Sequence, residues 1–193
     1  MKKIMFNDKF GLTQAVLEGR KTMTRRISKE QIRNSVFWKS GYESIHGYEI
    51  KPIYKISELV AIAQSYESLG MNPEIALNDR DGIGFYTKTK FAPGWKNKMF
   101  VRADLMPHHI RITNIKIERL QDISDEDCLR EGVELNTRQY EYDGTKKYCV
   151  CGLGHWRAIG CTDFDTPREA FAALIDKVSG KGTWESNPYA FVY

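Results

Sequence analysis

A chain of 193 residues, 41% hydrophobic and 28% charged, has the make-up of an ordinary soluble globule with room for one well-buried domain. It has no apolar run near the about 18 residues of a membrane span and no signal-like start, so it is expected to be soluble, cytoplasmic and without a membrane partner. The net charge of +4 is uneven: residues 1–39 hold ten Lys/Arg against three Asp/Glu, a net of +7, and the remainder holds nineteen against twenty-two, a net of −3. Such a basic stretch suits a phosphate-bearing partner or forms a solvated charged face.

In chain order, Ile4–Phe6 reads as a short opening segment, and Asn7 or Asp8 can cap the helix that follows. Phe10, Ala15, Val16 and Leu17 supply its apolar side, and Gly19 falls where a left-handed residue ends a helix. Thr22–Ile27 alternates like a strand, and Ser28-Lys29-Glu30-Gln31 matches a capping box for a helix over Gln31–Trp38. Tyr42–Ile45 and Tyr48–Lys51, joined at His46-Gly47, read as a hairpin, and Glu58–Ala63 as a central strand. Residues 66–98 are polar, rich in Gly, Asn and Asp and without a period, which marks an inserted loop region within a single domain over residues 1–193.

Met99–Leu105 and Ile110–Leu120 return to strand character, the second with a phase shift near Asn114. Ser124 caps a short helix ending at Gly132, and Asn136–Asp163 reads as irregular. Thr166-Pro167-Arg168-Glu169 is a capping box with proline at the first helical position. Phe171, Leu174, Ile175 and Val178 then give that helix a core-facing side, and Tyr189–Tyr193 a last strand. Short strands with three or four helices indicate an α+β protein, with a small barrel rimmed by helices as one arrangement.

Four constellations could carry chemistry. Gly19–Arg26 packs Arg20, Lys21, Arg25 and Arg26 with Thr22 and Thr24 into one corner. Like charges disfavour the Lys21 ammonium, so Lys21 could act as a base and Thr24 as the hydroxyl it activates, provided Lys21 sits in the turn after Gly19. The alternative is a helix C-terminus decorated with cations, which the helix dipole favours. Glu131 closes the Ser124–Arg130 helix, where the negative dipole end should raise its pKa and suit it to donate a proton; otherwise it is an exposed glutamate. Four cysteines (Cys128, Cys149, Cys151, Cys161) lack the framework of a small secreted protein, and Cys149, Cys151, His155 and Cys161 could hold zinc or be thiols in a turn. Trp156, Arg157, Trp184 and Tyr189 could stack bases or fill a core.

The order of these stretches resembles one family. Gly-Arg-Lys-Thr-x-Thr-Arg-Arg after a short helix resembles the opening signature of ASCH domains, which share the PUA-like β-barrel fold. Tyr54–Ala63, Met106-Pro107 with Arg111–Glu118, and Arg119–Gly132 resemble its later segments, and Trp184-Glu-Ser-Asn-Pro-Tyr resembles the ending of longer, phage-associated members. The second segment departs from the pattern: Ile56-Ser57-Glu58 stands where Gly-Asp is usual, and Ala61-Ile62-Ala63-Gln64 where Val-Arg-Glu is usual.

The resemblance implies a PUA-like small β-barrel with flanking helices that binds RNA or a modified nucleoside. One subgroup hydrolyses N4-acetylcytidine with neither metal nor cofactor. Its lysine base, threonine nucleophile and glutamate proton donor fall by motif on Lys21, Thr24 and Glu131. From their charge and stacking capacity, Arg20, Arg25, Arg26 and Trp184 are the expected nucleic-acid contacts. A non-catalytic RNA-binding module and a zinc-stabilised interaction protein are the other classes the residues allow, and the oligomeric state is not assigned.

Overall fold

The computed structural model describes residues 1–28, 42–44, 46–47, 49–71, 93–153 and 162–193. In chain order they form β1 (Lys2–Ile4), α1 (Leu12–Leu17), β2 (Arg25–Ile27), β3 (Tyr42–Glu43), β4 (Glu49–Ile50), β5 (Leu59–Ile62), β6 (His109–Arg111) and β7 (Lys116–Arg119). After these come α2 (Asp125–Arg130), β8 (Glu134–Leu135), α3 (Thr137–Asp143), β9 (Tyr148–Cys149), α4 (Pro167–Ser179), α5 (Thr183–Ser186) and β10 (Tyr189–Val192). The class is α+β, with small open sheets, and no closed barrel is traced among the described residues. No helix among them is long and apolar enough to cross a membrane.

The chain divides into two compact units. The first comprises Met1–Phe6 and Ser57–Ile112. Its sheet runs β1-β5-β6, with β1 parallel and β6 antiparallel to the central β5, the place expected for the apolar run at 58–63. Val60, Ala61, Ile62 and Ala63 are all buried, and Tyr66, Val101 and Met106 pack with Ala61 and Ala63. The strand expected at Met99–Leu105 is instead two 3-10 turns, Lys98–Phe100 and Ala103–Leu105. The Asn97 side chain caps the first at the Met99 N–H, and Lys3 Nζ takes the carbonyls of Met99 and Val101, each at 2.6 Å, so those groups have a side-chain partner in place of a strand. Residues 72–92 of the expected insert lie outside the described residues.

The second unit comprises Asn7–Ile56 and Thr113–Tyr193. Its sheet runs β2-β10-β7, all antiparallel, with Ala190, Phe191 and Val192 of the central strand buried. The phase shift near Asn114 is real: β6 and β7 on its two sides belong to different sheets. Helix starts follow the local code. Thr166 accepts from Glu169 N–H, Pro167 holds the first position of α4, and Ser124 accepts from Asp127 N–H. α4 buries Phe171, Leu174 and Ile175 but leaves Val178 41% exposed in the last turn, so the apolar stripe stops one turn early. The stretch expected to be irregular, Asn136–Asp163, contains α3 and strand β9, which pairs with β8 just ahead of it; Thr137–Asp143 has no apolar period by which a helix could be read. β3 and β4 form the expected hairpin, Tyr42 opposite Ile50, and the helix expected at 31–38 lies outside the described residues.

Candidate active site

The site is built by the chain leaving α1. Gly19 adopts φ 74°, the left-handed geometry that glycine takes without a Cβ penalty, and Lys21 N–H turns back to the Ala15 carbonyl at 2.9 Å. Lys21 therefore sits in the turn, as a pairing with Thr24 requires. Thr22 and Met23 N–H then both donate to the Arg130 carbonyl, at 3.0 and 3.1 Å, satisfying an acceptor left over at the end of α2. Thr24 exchanges both backbone hydrogen bonds with Tyr193 at 3.0 Å, which prolongs the β2–β10 ladder.

This wrapping brings Lys21 onto the C-terminus of α2. Its Nζ donates to Glu131 Oε2 at 2.6 Å and to the Glu131 carbonyl at 2.7 Å. The two side chains are 3% and 5% exposed, so the ion pair is out of water. Gly132 makes room for it: at φ 102° a Cβ would lie 3.1 Å from Leu12 Cδ2 and 3.6 Å from the Lys21 stem. Burial first, with lesser contributions from Arg26 and Arg25, pushes the Lys21 ammonium below its ordinary range, while the Glu131 charge pulls the other way.

Arg25 completes the cluster from β2. Its side chain is 0% exposed; Nη1 donates to Glu131 Oε1 at 3.1 Å, and Nη2 to Asp127 Oδ2 at 3.1 Å and to Glu118. Its Nε is buried without a hydrogen-bond partner among the described residues. Lys116, half exposed, joins Glu118 at 2.7 Å and Asp127 at 3.4 Å. Lys21, Arg25 and Lys116, with Arg130 at 3.9 Å from Asp127, thus face Glu131, Glu118 and Asp127, and the buried part of the balance is Lys21, Arg25 and Glu131. Asp127 titrates below its usual range: burial opposes this most strongly, and the hydrogen bond from Arg25 with the charges of Lys116 and Arg25 outweighs it. Neighbouring Cys128 is no nucleophile at neutral pH, since burial pushes its thiol up to about 12.

Of the residues singled out in the sequence, Lys21 and Arg25 each hold one oxygen of Glu131, and Thr24 is buried beside them in sequence, held by its backbone. Glu131 is not the exposed glutamate of one reading: both its oxygens accept from a cation. Arg25 is not a surface cation either; three carboxylates enclose it, so a phosphate contact from it is replaced by an internal role. Arg20 lies at the surface and pairs with Glu18 and Glu134, and Arg26 points to the other face of β2 from Arg25. Trp184 stands apart from the cluster: its ring meets Phe171 edge-on at 6.1 Å and the Arg168 guanidinium at 5.1 Å. Of the zinc set, Cys149 is buried and Cys151 exposed, while His155 and Cys161 lie outside the described residues, as do Trp156 and Arg157. Glu118 and Asp127 were not singled out in the sequence. The signal for them was the pairing of Lys116 with Glu118 on one strand face and of Asp127 with Glu131 one helical turn apart.

No family model, curated protein or solved structure matches this chain.

Proposed function

We propose that this chain is an ASCH-type domain of PUA-like barrel fold that binds an N4-acylated cytidine, free or within RNA, and hydrolyses its amide. The observation that carries the reading is the Lys21–Glu131 pair, 2.6 Å apart and almost fully buried. A buried ion pair is costly to keep, and transferring one proton from Lys21 to Glu131 converts it to a neutral amine beside a carboxylic acid. That neutral state is a base and an acid in contact, held without any change in the number of protons.

The chemistry then balances. Lys21 as amine takes the Thr24 hydroxyl proton, the Thr24 oxygen bonds to the acyl carbon, and Glu131 as acid protonates the departing cytosine N4 as the C–N bond breaks. In the second half Glu131 takes a proton from water, the water oxygen attacks the acyl-threonine, and Lys21 returns a proton to the Thr24 oxygen. Cytidine and the carboxylic acid leave. Arg20 and Arg26, on the basic N-terminal stretch, are the cations this reading gives to a nucleic-acid backbone.

The test is incubation with N4-acetylcytidine, with cytidine followed by chromatography. Wild-type protein should release it, and Lys21→Ala and Thr24→Ala should each lower the rate by about 10³-fold or more. No release by well-folded wild-type protein overturns the hydrolase reading. Salt-dependent RNA binding by the same inactive protein would assign the chain to non-catalytic RNA recognition.

A further inference from the structure

The hydrolase reading uses Lys21, Thr24 and Glu131 and leaves the most enclosed cation unexplained. Arg25 is 0% exposed and contacts carboxylates from two other elements, Glu118 on β7 and Asp127 at α2, besides Glu131. These hold its Nη2 end, so its Nη1 end is presented to one atom of Glu131, Oε1, at 3.1 Å. The other oxygen, Oε2, faces Lys21 at 2.6 Å. The two oxygens of one carboxylate are thereby given to two chemically different cations. A guanidinium does not lose its proton in a protein, whereas a buried lysine can. One contact is therefore a fixed charge and the other carries a mobile proton.

Resting on the hydrolase reading, we propose that Arg25 is a positioning residue: it clamps Glu131 through Oε1 so that Oε2 alone meets Lys21, and it supplies the fixed charge against which their shared proton is placed. The charged groups around this pair are Arg25 from β2, Glu118 and Lys116 from β7, and Asp127 from α2, while Arg26, on the other face of β2, acts on Lys21 only as a nearby like charge. Removing the Arg25 charge takes a favourable partner from the Glu131 carboxylate and a like-charge neighbour from Lys21. Both groups then hold their protons to higher pH.

The role is tested on the full chain by NMR titration of the Glu131 side-chain carboxyl carbon, assigned by its loss in Glu131→Gln. Arg25→Met should move the Glu131 midpoint upward by about 1–3 pH units, the range for loss of an opposite charge at such distances. Arg25→Lys keeps a cation in the core and covers the case in which Arg25→Met does not fold. One ammonium cannot reach three carboxylates at once, so its shift should be upward and smaller. In hydrolysis of N4-acetylcytidine, both limbs of the pH profile should move to higher pH in these variants, with kcat lowered about 100-fold and KM little changed. A Glu131 titration identical to wild type in every folded variant overturns the role, including one with no inflection above pH 3 in either protein. Because the titration needs no substrate, that result is separate from a failure of wild-type protein to release cytidine, which would instead sink the hydrolase reading.

Discussion

The two three-stranded sheets share a plan and differ in what flanks it. In β1-β5-β6 the central strand is buried through Val60, Ala61 and Ile62, and its ion pair, Lys2 with Glu58 at 3.1 Å, stays at the rim with side chains 45% and 21% exposed. In β2-β10-β7 the central strand is buried just as well through Ala190, Phe191 and Val192, yet edge strand β2 carries Arg25 inward at 0% exposure. Apolar burial suffices to hold a sheet of this size. Enclosing Lys21, Arg25 and Glu131 costs desolvation that a fold alone does not require, since apolar residues of like volume would serve stability equally well or better. The two sheets thus differ in that only the second has buried charges beside its central strand among the described residues.

The comparison breaks most sharply at Glu131. Glu131→Ala leaves Lys21 and Arg25 without their shared carboxylate and should cost about 3–5 kcal/mol, read as a lower midpoint in urea denaturation. Lys21→Met combined with Glu131→Leu removes both charges and should recover most of that loss while remaining inactive, which would separate the stability of the cluster from its chemistry. A double variant as unstable as Glu131→Ala would make the ions structural. Gly132→Ala should cost about 1–3 kcal/mol by the same measurement, because φ 102° is strained for alanine and the new Cβ meets Leu12. At the other extreme, Lys2→Ala in the first sheet should change stability by no more than about 1 kcal/mol, an effect that shrinks in salt.

Acid sharpens the contrast from another side. Asp127 titrates in the folded protein below the ordinary value of an aspartate, roughly 3.9. Unfolded chains therefore bind its proton first, and its contribution to stability is present above that value and is lost as pH falls through and below it. Asp127→Asn should flatten the acid limb of a stability–pH curve in this window. A curve as steep as that of wild type would mean that Asp127 contributes nothing there.

Much of the framework was legible because its causes are local. Gly19 and Gly132 end helices, Ser124 and Thr166 begin them, and the break at Asn114 changes which face of the strand is apolar; each needs only a few neighbouring residues. Where the local signal was weak or misleading, reading failed. Met99–Leu105 has strand composition but became two turns once Lys3 took its carbonyls, and α3 has no apolar period to read.

By itself, the sequence determined where the chain turns and that one corner near its start concentrates cations and hydroxyls. Only the tertiary structure decided which of those cations is buried. Lys21 meets Glu131 across 110 residues, and Arg25, adjacent to Arg26 in the chain, differs from it because Glu118, Asp127 and Glu131 converge on one face of β2 and not on the other. A pattern of charges states what is available. Desolvation, and the partners that compensate it, depend on positions far apart in sequence, and those are set only when the strands and α2 close around them.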